Sequence, residues 1–328
     1  MKLLLVKTSS MGDVIHTFPA VTDALAALPG LTIDWLVERP FAPIARLHPR
    51  VGEVIEVETR RWRKTPFSAA TRAATAALEQ RLTAARYDLV VDAQGLMKSA
   101  WLARKAGAPV AGFNLASARE GLAAFSYRRR YAVPRDLHAI RRTRLLFAAA
   151  LGYRPDLERL DYGLDRAEPD PARMAFLLHG TSWETKKWPV ANWIAVANGL
   201  VGRGMRPCLT WSDEAEQLVA ETIAAAVPTT LVIPKSGLDH IAGLLSRAAL
   251  AIGVDTGLTH LAAAYGLPTV ALYTATRTGL TGALGARTVA LSAVSDDAAQ
   301  KVRRGAPAYT GAISPVTVLE TANRLLST

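Results

Sequence analysis

The chain has 328 residues, half of them hydrophobic, with 39 Lys and Arg against 28 Asp and Glu and one cysteine, Cys208. This length and apolar content exclude a disordered chain and accommodate two domains of ordinary size, and a lone cysteine excludes an internal disulfide and fits a reducing compartment. The charge is uneven: residues 1–165 hold 25 Lys and Arg against 16 Asp and Glu, so the first half is expected to meet something anionic.

The first half alternates strand and helix patterns. Lys2–Val6 reads as a strand, Val14–Leu28 as a helix, and Thr32–Val37 and Val54–Val57 as strands. A long Ala-rich helix follows over Ala69–Ala85, then strand Asp88–Asp92, helix Lys98–Ala106, strand Val110–Phe113 and helix Leu137–Leu151. The polar, Pro-containing stretch Asp161–Pro171 reads as a linker. The alternation then restarts with strand Met174–Leu178, a helix from Ala191, strand Pro207–Thr210, helix Glu214–Ala226 and strand Leu231–Ile233. Helix His240–Ala248, strand Leu250–Val254, helix Thr259–Tyr265, strand Thr269–Tyr273 and a late helix over about Val316–Leu326 complete it. Strands alternating with helices of this length predict parallel sheets with helices on both faces. The expected domains are residues 1–165 and 166–328, with the last helix free to return to the first. The leading apolar run, Leu3–Val6, is too short for a secretory leader, and no stretch reaches the roughly 20 apolar residues of a membrane span.

Three strand-to-helix turns carry the chemistry. In Gly253-Val254-Asp255-Thr256-Gly257-Leu258-Thr259-His260 a small hydroxyl-bearing turn leaves backbone N–H groups at the positive end of a helix, which suits a phosphate. Asp255 and Thr256 are also favoured helix caps, and the residues alone divide evenly between the two readings. His260 lies one helical turn after Thr256 and shares its face. In His179-Gly180-Thr181-Ser182, Thr181 and Ser182 can donate to phosphate oxygens, and Lys186 can add a point charge; the plain alternative is a solvated Lys186-Lys187 pair. In Lys7-Thr8-Ser9-Ser10-Met11-Gly12-Asp13, Asp13 is either the cap of the helix starting at Val14 or a general base for a hydroxyl.

Arg60-Arg61-Trp62-Arg63-Lys64, with Phe67 close behind, combines cations with aromatics in a way that suits anionic contact at a membrane boundary. Arg128-Arg129-Arg130 and Arg141-Arg142-Arg144 add to the charge, either exposed or salt-bridged. The six histidines have no metal-ligand spacing and no D-x-D triplet occurs, so no metal is expected. Neither the phosphate-loop spacing nor the dinucleotide G-x-G-x-x-G is present, which disfavours a dinucleotide oxidoreductase. A basic nucleic-acid-binding protein is a rival of another class, but no recognition motif gathers the cations, and no nucleic acid is expected.

The Lys7–Val14 turn, the Arg60–Lys64 run, Asp92-Ala93-Gln94-Gly95-Leu96 with Lys98, and Val254–Leu261 together resemble the lipopolysaccharide heptosyltransferases, on the branch that adds the first heptose to Kdo–lipid A. The resemblance spans nearly the whole chain. It implies the GT-B architecture, two Rossmann-like parallel-sheet domains facing across a cleft, and a metal-independent, inverting transfer from ADP-L-glycero-β-D-manno-heptose, with no cofactor. It implies Asp13 as catalytic base. It implies Thr181, Ser182, Lys186, Glu216, Asp255, Thr256, Gly257 and His260 on the donor. It implies Ser10, Gly12, Arg60, Arg61, Arg63, Lys64, Lys98, Arg119 and His138 on the acceptor. A cytoplasmic protein peripheral to the inner membrane, touching its anionic surface, is expected. Ser182 stands where a Thr is familiar, and Ser236 where a Met is expected near the adenine. A later-acting heptosyltransferase with a heptosylated acceptor is the alternative.

Overall fold

The computed structural model describes residues 1–181, 183–276, 278–293 and 312–327. The chain divides into two compact units, Met1–Gly163 and Leu164–Thr328.

The first unit runs β1 (Lys2–Val6), α1 (Met11–Ile15), α2 (Phe18–Ala27), β2 (Thr32–Glu38), α3 (Ala42–Ala45), β3 (Val54–Val57), α4 (Thr59–Lys64), α5 (Ala69–Ala84), β4 (Leu89–Asp92), α6 (Met97–Arg104), β5 (Val110–Phe113), β6 (Arg129–Tyr131) and α7 (Ala139–Leu151). Its six strands are parallel in the order β3-β2-β1-β4-β5-β6. Leu3, Leu4, Leu5 and Val6 are fully buried, because helices cover both faces of the central strand; this is why the strand reads as an unbroken apolar run.

The second unit runs β7 (Met174–Leu178), α8 (Val190–Val201), β8 (Arg206–Leu209), α9 (Glu214–Ala226), β9 (Leu231–Val232), α10 (Leu238–Ser246), β10 (Leu250–Val254), α11 (Gly257–Ala264), β11 (Thr269–Tyr273), α12 (Thr278–Thr281), β12 (Thr288–Ser292) and α13 (Pro315–Ser327). Its sheet, also parallel, is ordered β12-β11-β10-β7-β8-β9. Counted within the unit, this is the same order as in the first. Each chain path therefore reverses direction between its first and fourth strands, β1 and β4 in one unit and β7 and β10 in the other. In doubly wound sheets, ligands bind beyond the carboxyl ends of the strands at that reversal.

Some elements differ from the sequence pattern. The helix expected over Val14–Leu28 is two helices, α1 and α2, divided at His16-Thr17; Pro19 lies in the first turn of α2, where its missing N–H costs nothing. The basic run Arg60–Lys64 is itself helical, within α4, and Trp62 packs against the first core rather than facing solvent. Of the two arginine clusters, Arg128, Arg129 and Arg130 are exposed, whereas Arg144 is a buried brace, its Nε 2.6 Å from Asp23 Oδ2 where α7 packs on α2. The last helix buries Val318, Thr321 and Ala322 in the second unit, against α8 and β11.

Gly253, at the heart of β10, has no room for a side chain. A Cβ there would overlap the hydroxyl of Thr259 and lie 2.9 Å from Leu178 Cβ. Thr259 cannot retreat readily, since its Oγ1 donates to the Val254 carbonyl at 2.7 Å. Gly253→Ala is therefore expected to destabilise the second unit by about 1–3 kcal/mol, read as a lowered midpoint in thermal unfolding.

Candidate active site

In the first unit, the turns leaving β1 and β4 lie side by side, as their strands do. The Gln94 side chain binds one to the other. Its Oε1 accepts from the N–H groups of Thr8 (2.9 Å) and Ser9 (3.3 Å), and its Nε2 donates to the Ser9 carbonyl at 2.6 Å. Gln94 is itself set by Asp92, whose Oδ1 accepts from the N–H groups of Gln94 and Gly95 at 2.9 and 3.2 Å. Asp92 Oδ2 accepts from Ser99 Oγ at 2.8 Å and Tyr127 Oη at 2.7 Å. Complete burial raises the pKa of Asp92, and these four bonds only partly oppose that rise.

This frame presents Asp13. Ser10, not Asp13, is the N-cap: the helix begins at Met11, and Asp13 in its first turn reaches back to accept from Ser10 N–H at 3.0 Å and Ser10 Oγ at 3.2 Å. The other carboxylate oxygen lies 3.3 Å from the ammonium of Lys7, a buried lysine that also donates to the Ala93 carbonyl at 3.1 Å. Burial on its own would raise the Asp13 pKa. Lys7, the Ser10 N–H, His16 and Arg119 outweigh it and lower the pKa to about 2. Asp13 thus remains ionised and, at 27% side-chain exposure, accessible.

Cations gather on the same turns. Lys98 Nζ donates to Ser9 Oγ at 3.3 Å, and its pKa is lowered first by burial, with Arg60 and Arg63 lowering it further against Glu38 and Glu120. Arg60, Arg63, Lys98 and Arg119 are therefore within electrostatic reach of one region. Gly12 lies within α1 beside Asp13. His138 caps α7, its Nδ1 accepting from Ile140 N–H at 3.2 Å, and its ring is 5.4 Å from that of His16. Arg61 instead turns to Glu58 at 3.0 Å, and Lys64 lies exposed at the end of α4.

In the second unit, the turns leaving β7 and β10 meet through an ion pair. Lys186 Nζ lies 2.5 Å from Asp255 Oδ2, which also accepts from Thr276 Oγ1 at 2.7 Å; His260 Nε2 is 3.4 Å from Asp255 Oδ1. Burial raises the Asp255 pKa, but His260 and Lys186 overcome this and hold it well below the usual carboxylate range. The expected Lys186-Lys187 pair thus splits: Lys186 is 18% exposed and turned inward, while Lys187 pairs with Glu184 at 2.8 Å on the surface. Thr256 is the N-cap of α11, yet its side chain makes no capping hydrogen bond. Gly257 opens that helix. A phosphate there would meet helix N–H groups, the Thr256 hydroxyl and the Lys186 ammonium.

Glu216, on α9, accepts from Ser212 N–H at 2.8 Å and Ser212 Oγ at 2.7 Å. Its carboxylate lies so close to Gly180 that a Cβ there would be 2.5 Å from Oε1. This places Glu216 beside Thr181, whose Oγ1 accepts from Trp183 N–H at 3.5 Å. Ser182 lies outside the described residues. Lys7 and Gln94 lie within the sequence motifs, which assign them no role, and Thr276 lies in no motif; the structure brings all three to these turns. For Lys7 the signal was present: a lysine ending a fully buried strand must find an anionic partner.

Two sheets of one order, each presenting a lysine-held carboxylate at its point of reversal, are built as the two-Rossmann glycosyltransferases are. The sequence model of glycosyltransferase family 9 (heptosyltransferase) matches residues 75–309. Lipopolysaccharide heptosyltransferase 1 of Pseudomonas aeruginosa is 49% identical over 290 residues, which cover 87% of this chain and 82% of that protein. Among solved structures, E. coli heptosyltransferase WaaC with ADP has a TM-score of 0.85 at 39% identity, covering 93% of this chain and 97% of that one. The same enzyme with ADP-2-deoxy-2-fluoro heptose has a TM-score of 0.84 at 35% identity, covering 99% of both. The chain belongs to glycosyltransferase family 9, the heptosyltransferases.

Proposed function

We propose that this chain transfers L-glycero-D-manno-heptose from ADP-heptose to the Kdo of Kdo–lipid A in the lipopolysaccharide core, inverting the anomeric centre without a metal. The observation that carries the reading is an ionised, accessible Asp13 held by Lys7 and influenced by Arg119, on a turn whose Ser9 hydroxyl accepts from Lys98, itself within reach of Arg60 and Arg63. A carboxylate set among cations suits an acceptor that is itself anionic and has a hydroxyl to be deprotonated. The relatives named lipopolysaccharide heptosyltransferase 1, and the solved WaaC complexes with ADP and a fluorinated ADP-heptose, support the choice of substrates.

In this mechanism Asp13 accepts the proton of the Kdo hydroxyl as that oxygen bonds to the anomeric carbon. The bond from that carbon to the diphosphate oxygen breaks, and ADP leaves with the electron pair. The leaving charge falls on Lys186, the Thr256 hydroxyl and the N–H groups opening α11, while Glu216 and Thr181 hold the nucleoside side of the donor. Attack opposite the leaving group converts a β-linked donor into an α-linked product. Each helix-end contact contributes roughly 0.3–1 kcal/mol, so several must converge. With no D-x-D triplet in the sequence, transfer is expected to persist in EDTA.

The direct test is ADP release from ADP-heptose with de-acylated Kdo–lipid A in EDTA. Acceptor-dependent release supports the reading; release only with a heptosylated acceptor would move the chain to a later step. Arg63→Ala is expected to raise the acceptor KM, with little change in donor KM, and Lys64→Ala to do so more weakly. Both variants should respond less steeply to salt than the parent, because a screened contact has been removed. A change in donor KM instead would take α4 off the acceptor face.

A further inference from the structure

The solvent-facing stripe of α6 should be polar, but two of its three exposed positions, Met97 and Trp101, are large and apolar. Exposure along this helix recurs at Met97, Trp101 and Arg104, one turn apart, while Ala100, Leu102 and Ala103 are buried. Met97 is 47% and Trp101 46% exposed. Packed on α6 is a 3-10 turn, Gly121–Ser126, that buries Ala123 and Ala124 and turns Leu122 and Phe125 outward, at 64% and 67% exposure. Four large apolar side chains thus project from two contiguous elements. Single exposed apolar residues need no explanation, but a group of them on one face does.

Cations fringe the group. Lys105 Nζ lies 4.6 Å from the centre of the Trp101 ring, and the Arg130 guanidinium 5.8 Å from that of Phe125. Arg104, Arg128 and Arg129 are exposed next to them in sequence. The nearby acids are engaged, Glu79 with Lys105 at 2.7 Å and Glu120 with Met97 N–H at 2.6 Å. Aromatic and aliphatic tips bordered by exposed arginines match an anionic bilayer, whose headgroup phosphates lie above a hydrocarbon region.

We propose that the face formed by α6 and the Gly121–Ser126 turn docks on an anionic lipid bilayer. Met97, Trp101, Leu122 and Phe125 enter the headgroup–acyl boundary, and the exposed Arg104, Arg128, Arg129 and Arg130 contact lipid phosphates. The proposal rests on the reading of the acceptor as a membrane lipid, and it assigns that contact to a face other than the Arg60–Lys64 run. Lys98, in the same helix, places this face next to the cations around Asp13.

The test is co-sedimentation with vesicles of phosphatidylcholine mixed with phosphatidylglycerol, and with phosphatidylcholine alone, for the full chain and for Trp101→Ser/Phe125→Ser. The parent is expected to sediment with the mixed vesicles only. The double variant should partition at least about tenfold less, given the apolar area removed, while releasing ADP at the parent rate with the soluble de-acylated acceptor. Should the double variant not fold, Leu122→Ser gives the same readout at a single exposed position. A variant that sediments like the parent, or a parent that stays in solution with mixed vesicles, overturns the proposal. So does a parent dimer that the variant converts to monomer with sedimentation unchanged, which would make the face a contact between copies. Absence of ADP release by the parent with any acceptor would defeat the functional reading and leave the vesicle result standing.

Discussion

Asp13→Ala is expected to lower turnover by about 10²–10⁴-fold, the usual worth of a general base, with donor affinity nearly unchanged. Asp13→Asn sharpens the test. Asparagine can still accept from the Ser10 N–H, so a capping role would survive it and a base would not. An Asn variant with parental turnover would remove Asp13 from the chemistry. The pH dependence follows from the partners of Asp13. Its pKa is lowered from 3.8 to about 2, so the carboxylate is ionised throughout ordinary working conditions, and any acid limb above that range belongs to other groups. The stability its partners supply is fully present above its unfolded value and is lost as pH falls through the folded one, between about 4 and 2. Such a depressed carboxylate is a weak base in the free enzyme. An anionic acceptor that shares Lys7 and Arg119 would raise its basicity when the proton is to be taken.

The second large effect is expected from Asp255→Ala. Asp255 and Lys186 are 10% and 18% exposed, and removing the carboxylate leaves the ammonium, His260 and the Thr276 hydroxyl facing a gap. Losing one member of a largely buried pair costs about 3 kcal/mol, the lower end of the range because Lys186 retains some access to water. For a unit of this size, that lowers the thermal midpoint by roughly 6–12 °C. Lys186 also loses the anchor that aims it, so ADP binding by calorimetry should weaken at least about tenfold, near the 1.4 kcal/mol of a modest charge-assisted bond. Unchanged melting would mean that Lys186 simply turns out to water. Unchanged ADP affinity would take the pair out of the donor site. The acid sensitivity has the same sign as for Asp13, since the folded pKa of Asp255 is also depressed.

The parallel sheets were legible because strands buried on both faces must be continuously apolar, as in Leu3–Val6 and Leu250–Val254. The turns after β1, β7 and β10 were legible because small hydroxylated residues followed those strands. The division between α1 and α2 was not: Val14–Leu28 keeps a helical apolar pattern throughout, and only Thr17 and Pro19 hint at a new start. α4 was hidden for another reason. A run of four cations reads as a surface for anionic contact, with no apolar periodicity to mark a helix, and the residue that ties it to the core is Trp62. The strands β6 and β12 were missed because edge strands bury little: Arg129 and Arg130 are exposed, and no position of β12 is fully buried. Within the sites, Lys7–Asp13 is a local contact, but Lys186–Asp255 spans 69 residues, and only the parallel pairing of β7 with β10 brings the two together. Gln94 likewise acts 85 residues from Ser9, through the pairing of β1 with β4.

Each sheet is drawn from one uninterrupted half of the chain, and this bears on synthesis. By the time Gly163 has left the ribosome, every strand of the first sheet and the Arg144–Asp23 brace are available, so that half can fold while its successor is still being translated. The second half has no such early closure. Val318 and Ala322 of α13 fill the core beneath β10 and β11, and the Trp188 indole waits for the Ile313 carbonyl, 125 residues downstream. A nascent chain halted before residue 312 would thus carry a finished first unit and an open apolar surface on the second, and would be prone to aggregate at that pause.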